Sequence, residues 1–237
     1  MRQVPIMHIV APRFFPAKMF ILKNSITAIM IAPRPFHLLI FILLFPLSTL
    51  AQERPVSPDD GFYEKWNLNV TSREAWGWEE GPVLKDTQQV EYVTIHHGGT
   101  IFKQKDDMAA YMRNFQQWCR DDMGWMDNPY HYMIDFNGQI LEGRKLAYPG
   151  DTNTEYDPTG HALICVLGNF EEQEVTDAQL ESLTKLSAAL ATFYEVPIEK
   201  IQSHKDYTET LCPGEDLYNY LEDGTIHKMV RKWMQKQ

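Results

Sequence analysis

The chain of 237 residues carries 22 Lys and Arg against 32 Asp and Glu, a formal net charge of −10, and 44% of it is hydrophobic. An acidic balance of this size argues against nucleic acid as a partner, because such binding works by neutralising phosphates. Three cysteines are too few for a disulfide-stapled scaffold.

Residues 34–51 run from Arg34 through a short apolar core to the small residues Thr49 and Ala51. This is the layout of a secretory signal cleaved after Ala51, so residues 1–51 are read as a signal region, with Met30 an alternative start. The apolar run is too short for a comfortable membrane span, and no stable membrane insertion is expected after cleavage. Five of the basic residues and none of the acidic ones lie in this region, so the 186 residues beyond it carry −15. That length suits one domain with a substantial core.

Residues 52–70, with Pro55, Pro58, Asp59, Asp60 and Gly61, read as an N-terminal tether or arm, and 71–237 as the folded domain. Residues 90–96 have the pattern of a buried strand ended by Gly98-Gly99. Residues 105–122 predict a helix, with Met108, Tyr111, Met112, Phe115, Trp118 and Cys119 sharing one core-facing side. Residues 130–136 alternate as a strand, and Asn137-Gly138 turns the chain into a second strand over 139–142. Residues 147–161 are loop-like, and the apolar run 162–167, which holds Cys165, reads as a buried strand. Thr176 and Gln179 form a capping box. It opens a helix to about Tyr194, with Leu183, Leu186, Leu190 and Phe193 facing the core. A loop from Ser203 to Gly214 follows, then a helical segment from about Gly224. Mixed strands and helices predict one α/β domain around a central mixed sheet.

The loop pairs His204 with Cys212, two zinc-ligand types, and Pro213-Gly214 would fix a sharp turn behind the sulfur. A third ligand is available at the end of the first long strand, in His96-His97. Adjacent strand residues face opposite sides, so one of the two histidines is a ligand candidate, and spacing does not choose between them. Two imidazoles and a thiolate would hold Zn2+ with one position open for water or a carbonyl oxygen. Read singly, these are strand-end histidines and a buried thiol; the combination favours zinc. Tyr130 is a candidate to orient a water or donate to an oxyanion, or else a core aromatic. Thr210 is a candidate oxyanion donor or a turn-stabilising hydroxyl. His131 reads as structural, His161 as an ambiguous loop residue, and His227 as an exposed helix residue. Cys119 and Cys165 read as two buried thiols or as a disulfide.

Taken in order, Ser72-Arg73-Glu74-Ala75-Trp76-Gly77, Ile95-His96-His97, Tyr130-His131-Tyr132 with Glu142-Gly143-Arg144, Val166-Leu167-Gly168-Asn169-Phe170 and the His204–Gly214 loop resemble the zinc-dependent N-acetylmuramoyl-L-alanine amidase family. That family includes phage lysozyme-type amidases and animal peptidoglycan recognition proteins. The resemblance covers about residues 71–220. It implies a mixed sheet flanked by helices with a zinc cleft on one side, zinc ligands His96, His204 and Cys212, and Tyr130 and Thr210 at the catalytic positions. The implied activity is hydrolysis of the amide between N-acetylmuramic acid and L-alanine, with peptidoglycan as partner. The signal then implies export to a bacterial periplasm or the exterior. Rival expectations are a peptidoglycan-binding module without catalysis and hydrolysis of another cell-wall amide. A partner protein or inhibitor is not legible in the sequence. Residues 147–153 lack the histidine that many relatives carry there, and Pro158-Thr159-Gly160-His161 replaces an Asn-x-x-Ser pattern, which implies an altered substrate groove.

Overall fold

Among the described residues, six strands form one sheet in the order β1-β4-β3-β5-β2-β6. They are β1 (Val70–Thr71), β2 (Tyr92–His97), β3 (Tyr132–Ile134), β4 (Ile140–Glu142), β5 (His161–Val166) and β6 (Ile201–Ser203). The β3–β4 pair is antiparallel, and the other neighbours run parallel. The structure, a computed structural model, describes residue 58 and residues 60–81, 86–104 and 107–236. The proposed signal and its cleavage point lie outside the described residues. No helix among the described residues is long and apolar enough to cross a membrane.

The two-residue period of the strands separates two cores. On one face Val93, Ile95, Tyr132, Ile134, Ile140, Ala162, Ile164 and Val166 pack against Leu183, Leu186, Leu190, Ile226 and Val230. The last five come from helices α4 (Asp177–Phe193) and α6 (Thr225–Met234). On the other face Met133, Leu141, Cys165 and Leu167 meet Trp76 and Met112, contributed by α2 (Arg73–Trp76) and α3 (Met108–Asp121). The predicted mixed sheet with helices on both sides is the fold observed. Thr176 caps α4 through the full reciprocal box with Gln179, and Gln179 also reaches the Leu167 carbonyl at 2.9 Å.

Several expectations change. Residues 60–70 are not a free tether: α1 (Asp60–Lys65) and the turn after it place Phe62 and Trp66 in the main core, with Trp66 only 2% exposed. The Pro and acidic residues that suggested a linker hid two aromatic anchors four residues apart. Another helix, α5 (Glu215–Glu222), follows the metal-type loop directly and buries Leu217 and Leu221. On α3 Met112, Gln116 and Cys119 are buried, and Met108, Tyr111 and Phe115 pack against the second core as expected, whereas Trp118 is 41% exposed. Gln116 is buried because it satisfies Asp127 Oδ1 at 2.7 Å and the Glu79 carbonyl. Phe193, at the end of α4, is also exposed. Cys119 and Cys165 are buried free thiols.

Candidate metal centre

Strands β2 and β6 are parallel neighbours with Ile95 level with Ser203. The next residue of each, His96 and His204, therefore leaves the same end of the sheet, the carboxyl end where open α/β sheets place their ligands. The two imidazole centroids are 4.6 Å apart. Both rings are buried. A 3-10 turn over His204–Asp206 carries the second histidine, and Asp206 braces it by accepting from Ser203 N and Oγ, both at 2.7 Å.

Alternation along β2 separates the adjacent histidines. His96 lies level with Cys165, on the α3 face of the sheet. His97 turns the other way, and its Nδ1 accepts the Phe170 N–H at 3.3 Å. The loop after His204 returns Cys212, whose Sγ lies 3.6 Å from His96 Nδ1 and accepts the His97 backbone N–H at 3.4 Å. His97 thus serves the sulfur through its main chain. The ligand-type atoms of His96, His204 and Cys212 all lie within 4.8 Å of one another. Tetrahedral zinc with ordinary Zn–N and Zn–S lengths places its ligand atoms about 3.3–3.8 Å apart, so this donor set fits that ion with small side-chain movements.

Behind the sulfur the Cys212–Pro213 peptide is cis and Gly214 has φ of 89°. A Cβ at Gly214 would stand 2.6 Å from the Phe170 carbonyl carbon, so only glycine fits where the loop enters α5.

Electrostatics agree with a ligand role for the imidazoles. Burial holds His96 well below the ordinary histidine range, with His204 beside it adding to the effect. Burial likewise brings His204 down to about 4. Both are neutral with lone pairs available near pH 7. Burial pushes the Cys212 thiol up to about 12 despite the His97 N–H; a bound divalent cation reverses that balance and favours the thiolate.

Tyr130 tilts over His96 with ring centroids 5.3 Å apart. Burial keeps its phenol protonated by raising its pKa far above the usual range. Its backbone is held from three sides. Asn128 Oδ1 accepts the Tyr130 N–H at 3.0 Å, Arg144 N donates to the Tyr130 carbonyl at 2.8 Å, and Gly143 approaches so closely that a Cβ would sit 2.2 Å from that carbonyl. Asn128 is anchored in turn by Asp127, which pairs with buried Arg73 at 2.8 Å. Arg73 also donates to the Gly143 carbonyl. The Ser-Arg-x-x-Trp-Gly segment is thus a buttress for the tyrosine turn, a role its sequence alone does not disclose. Thr210 Oγ1 accepts the Cys212 N–H at 3.2 Å, the turn-stabilising arrangement, and its own proton is not used in that contact.

Of the other histidines, His131 is structural as expected, the ambiguous His161 lies on a strand, and His227 is more buried than expected. His161 opens β5, is buried, and has Nδ1 2.8 Å from Thr94 Oγ1. His227 is half-buried, and its Nε2 donates to the Ile201 carbonyl at 2.9 Å. His131 is structural: Nδ1 accepts from Leu163 N at 2.8 Å and Nε2 donates to the Tyr148 carbonyl at 2.9 Å. Two residues that sequence reasoning passed over touch the centre. Tyr156 Oη lies 3.3 Å from His96 Nε2, and Thr154 Oγ1 lies 2.7 Å from His204 Nε2. Both belong to the divergent 147–161 stretch, where a threonine and a tyrosine carry no motif that marks them.

A family model described as N-acetylmuramoyl-L-alanine amidase matches residues 86–215, more than half of the chain. Peptidoglycan recognition protein 4 of Mus musculus is 24% identical over 179 residues, covering 75% of this chain and 48% of that protein. The chain therefore spans about half the length of that relative. Peptidoglycan-recognition protein SC2 of Drosophila simulans is 26% identical over 155 residues, covering 64% of this chain and 84% of that protein. Among solved structures, Drosophila peptidoglycan recognition protein SD superposes with a TM-score of 0.58 at 24% identity, covering 65% of this chain and 94% of that one. Human PGRP-IBETAC in complex with glycosamyl muramyl pentapeptide gives a TM-score of 0.57 at 24% identity, covering 65% and 94%. These likenesses share the fold. By the match over residues 86–215, the chain belongs to the N-acetylmuramoyl-L-alanine amidase family.

Proposed function

We propose that the protein is an exported zinc hydrolase that cleaves the amide between N-acetylmuramic acid and L-alanine in peptidoglycan. The observation that carries this reading is the convergence of His96, His204 and Cys212 within 4.8 Å, beside the protonated phenol of Tyr130. Family membership supports it. So does the muramyl pentapeptide bound by the human structural neighbour, a ligand stated for that protein. Export to a periplasm or the exterior rests on the signal-like segment ending at Ala51.

His96, His204 and Cys212 would hold the zinc, which when bound supplies Lewis acidity and lowers the pKa of a water. The protein's own groups do the remaining work. Tyr130, whose backbone is fixed by Asn128, Arg144 and Gly143 and whose phenol lies beside Cys165, would turn its O–H donor to the charge that develops on the amide oxygen. One preorganised donor of this kind typically contributes about 10²–10³ in rate. Thr210 uses its Oγ1 lone pair to hold the loop, leaving its proton for the same oxyanion. Burial of both histidines excludes competing protonation of the ligands.

A second reading, a peptidoglycan-binding module without catalysis, draws on relatives named recognition proteins. Mass spectrometry of products from purified peptidoglycan separates the two. The hydrolase releases free stem peptides beginning with L-alanine. Wall that is bound but yields no stem peptide overturns the proposal, and cleavage within the peptide reassigns the bond.

A further inference from the structure

The divergent loop contributes two hydroxyls, two residues apart, to the outer nitrogens of both imidazoles. Thr154 Oγ1 lies 2.7 Å from His204 Nε2, and Tyr156 Oη lies 3.3 Å from His96 Nε2. On the other edge of its ring His96 turns Nδ1 toward the Cys212 sulfur at 3.6 Å. A metal-bound imidazole carries its proton on the nitrogen that faces away from the metal, and the partner of that N–H fixes both tautomer and ring orientation.

We infer that Thr154 and Tyr156 are positioning residues for the metal: by accepting the Nε2 protons of His204 and His96 they present the Nδ1 atoms of both to the cation. The inference rests on the zinc reading of this site and deepens it.

Each hydroxyl is itself held. Thr154 Oγ1 lies 2.8 Å from Thr152 Oγ1, and Thr154 N donates to the same Thr152 oxygen at 3.1 Å. The direction is consistent: His204 donates to Thr154, and the Thr154 proton passes on to Thr152. The Tyr156 ring stacks on Tyr207 at 5.6 Å and 18° and meets the edge of His161 at 5.5 Å. Tyr207 donates to Gln202 at 2.8 Å, and His161 is tied to Thr94. Tyr156 also covers His204, with centroids 4.9 Å apart. One short loop segment thus clamps both histidines. The half-buried hydroxyls of a Thr-x-Tyr pair do here what a carboxylate or carbonyl does behind many metal-bound histidines.

The test measures Zn2+ affinity by chelator competition and the visible absorption of the Co2+-substituted protein. It compares the full protein with Thr154→Val, Thr154→Ser and Tyr156→Phe. Loss of an outer partner typically weakens metal binding about 10–100-fold. Thr154→Val and Tyr156→Phe should each fall in that range and shift the Co2+ bands. Thr154→Ser, which keeps the oxygen, should restore affinity to within about threefold of wild type. Metal-free melting temperatures of the variants identify fold damage, and Tyr156→Phe, which removes one oxygen atom, carries the test if Thr154→Val does not fold. Wild-type affinity and an unchanged Co2+ spectrum in Tyr156→Phe and in any folded Thr154→Val overturn the inference, as does a Thr154→Ser that binds no better than Thr154→Val. If wild type binds zinc tightly but releases no stem peptide, the amidase reading fails while this inference stands. If wild type binds no zinc, both fail.

Discussion

In the proposed hydrolase Tyr130 and Cys212 have separate roles, a donor and a ligand, that single substitutions separate. Tyr130→Phe removes a donor but no ligand, so zinc content should stay at wild-type level while kcat falls about 10²–10³-fold; metal analysis beside steady-state rates reads both. A Tyr130→Phe rate within threefold of wild type would remove the phenol from the mechanism. The Arg73–Asp127 pair beneath the tyrosine turn is buried at 2.8 Å. Desolvation raises the Asp127 pKa, but the Arg73 charge and the hydrogen bonds from Arg73, Gln116 and Asn128 outweigh it and leave the carboxyl below its usual range. A depressed carboxyl contributes stability that is present above its unfolded pKa, about 3.9, and lost as pH falls through the folded value. Asp127→Asn, which leaves Arg73 without its counter-charge, should therefore cost about 3–5 kcal/mol near neutral pH. The gap from wild type should narrow below about pH 4, as read by urea unfolding at several pH values. A gap independent of pH would contradict the ion-pair assignment.

At the scale of elements, ligand types and strand ends were readable because they follow from composition and the two-residue period. His96, His204 and Cys212 come to one place because β2 and β6 are parallel neighbours. That pairing joins residues more than a hundred positions apart, and no local pattern announces it. Which of His96 and His97 turns its ring to Cys212 follows likewise from which face of β2 meets the loop. Thr154 and Tyr156 were illegible for a different reason: hydroxyls in an irregular segment carry no periodic signal, and their importance comes only from what they touch. Helix α1 was hidden by its Pro- and Asp-rich approach, yet it buries Phe62 and Trp66. Trp66→Ala should cost about 3–5 kcal/mol in denaturant unfolding. A change under 1 kcal/mol would return that segment to the role of a tether. In the metal loop, Gly214→Ala adds a Cβ 2.6 Å from Phe170 at φ of 89°. The expected result is weakened zinc binding together with about 1–3 kcal/mol of destabilisation; unchanged affinity would show that the loop tolerates a shifted turn.

For the whole molecule, the sheet acts as a jig. One face buries the larger core under α4 and α6, and the other carries α3, the tyrosine turn and the carboxyl ends of β2 and β6. The 147–161 loop closes over that end and reaches both histidines. The three residues proposed as ligands all come from one domain. The proposed activity requires that Cys212 complete a zinc site and that this site hydrolyse the muramoyl–alanine amide. The direct measurement pairs zinc stoichiometry with product mass for wild type and Cys212→Ala on the same purified peptidoglycan. Wild type should carry about one zinc per chain, as a mononuclear site requires, and release free stem peptides, with both lost in Cys212→Ala. Stem-peptide release by a zinc-free Cys212→Ala protein, or a zinc-loaded wild type that releases none, would contradict the proposal.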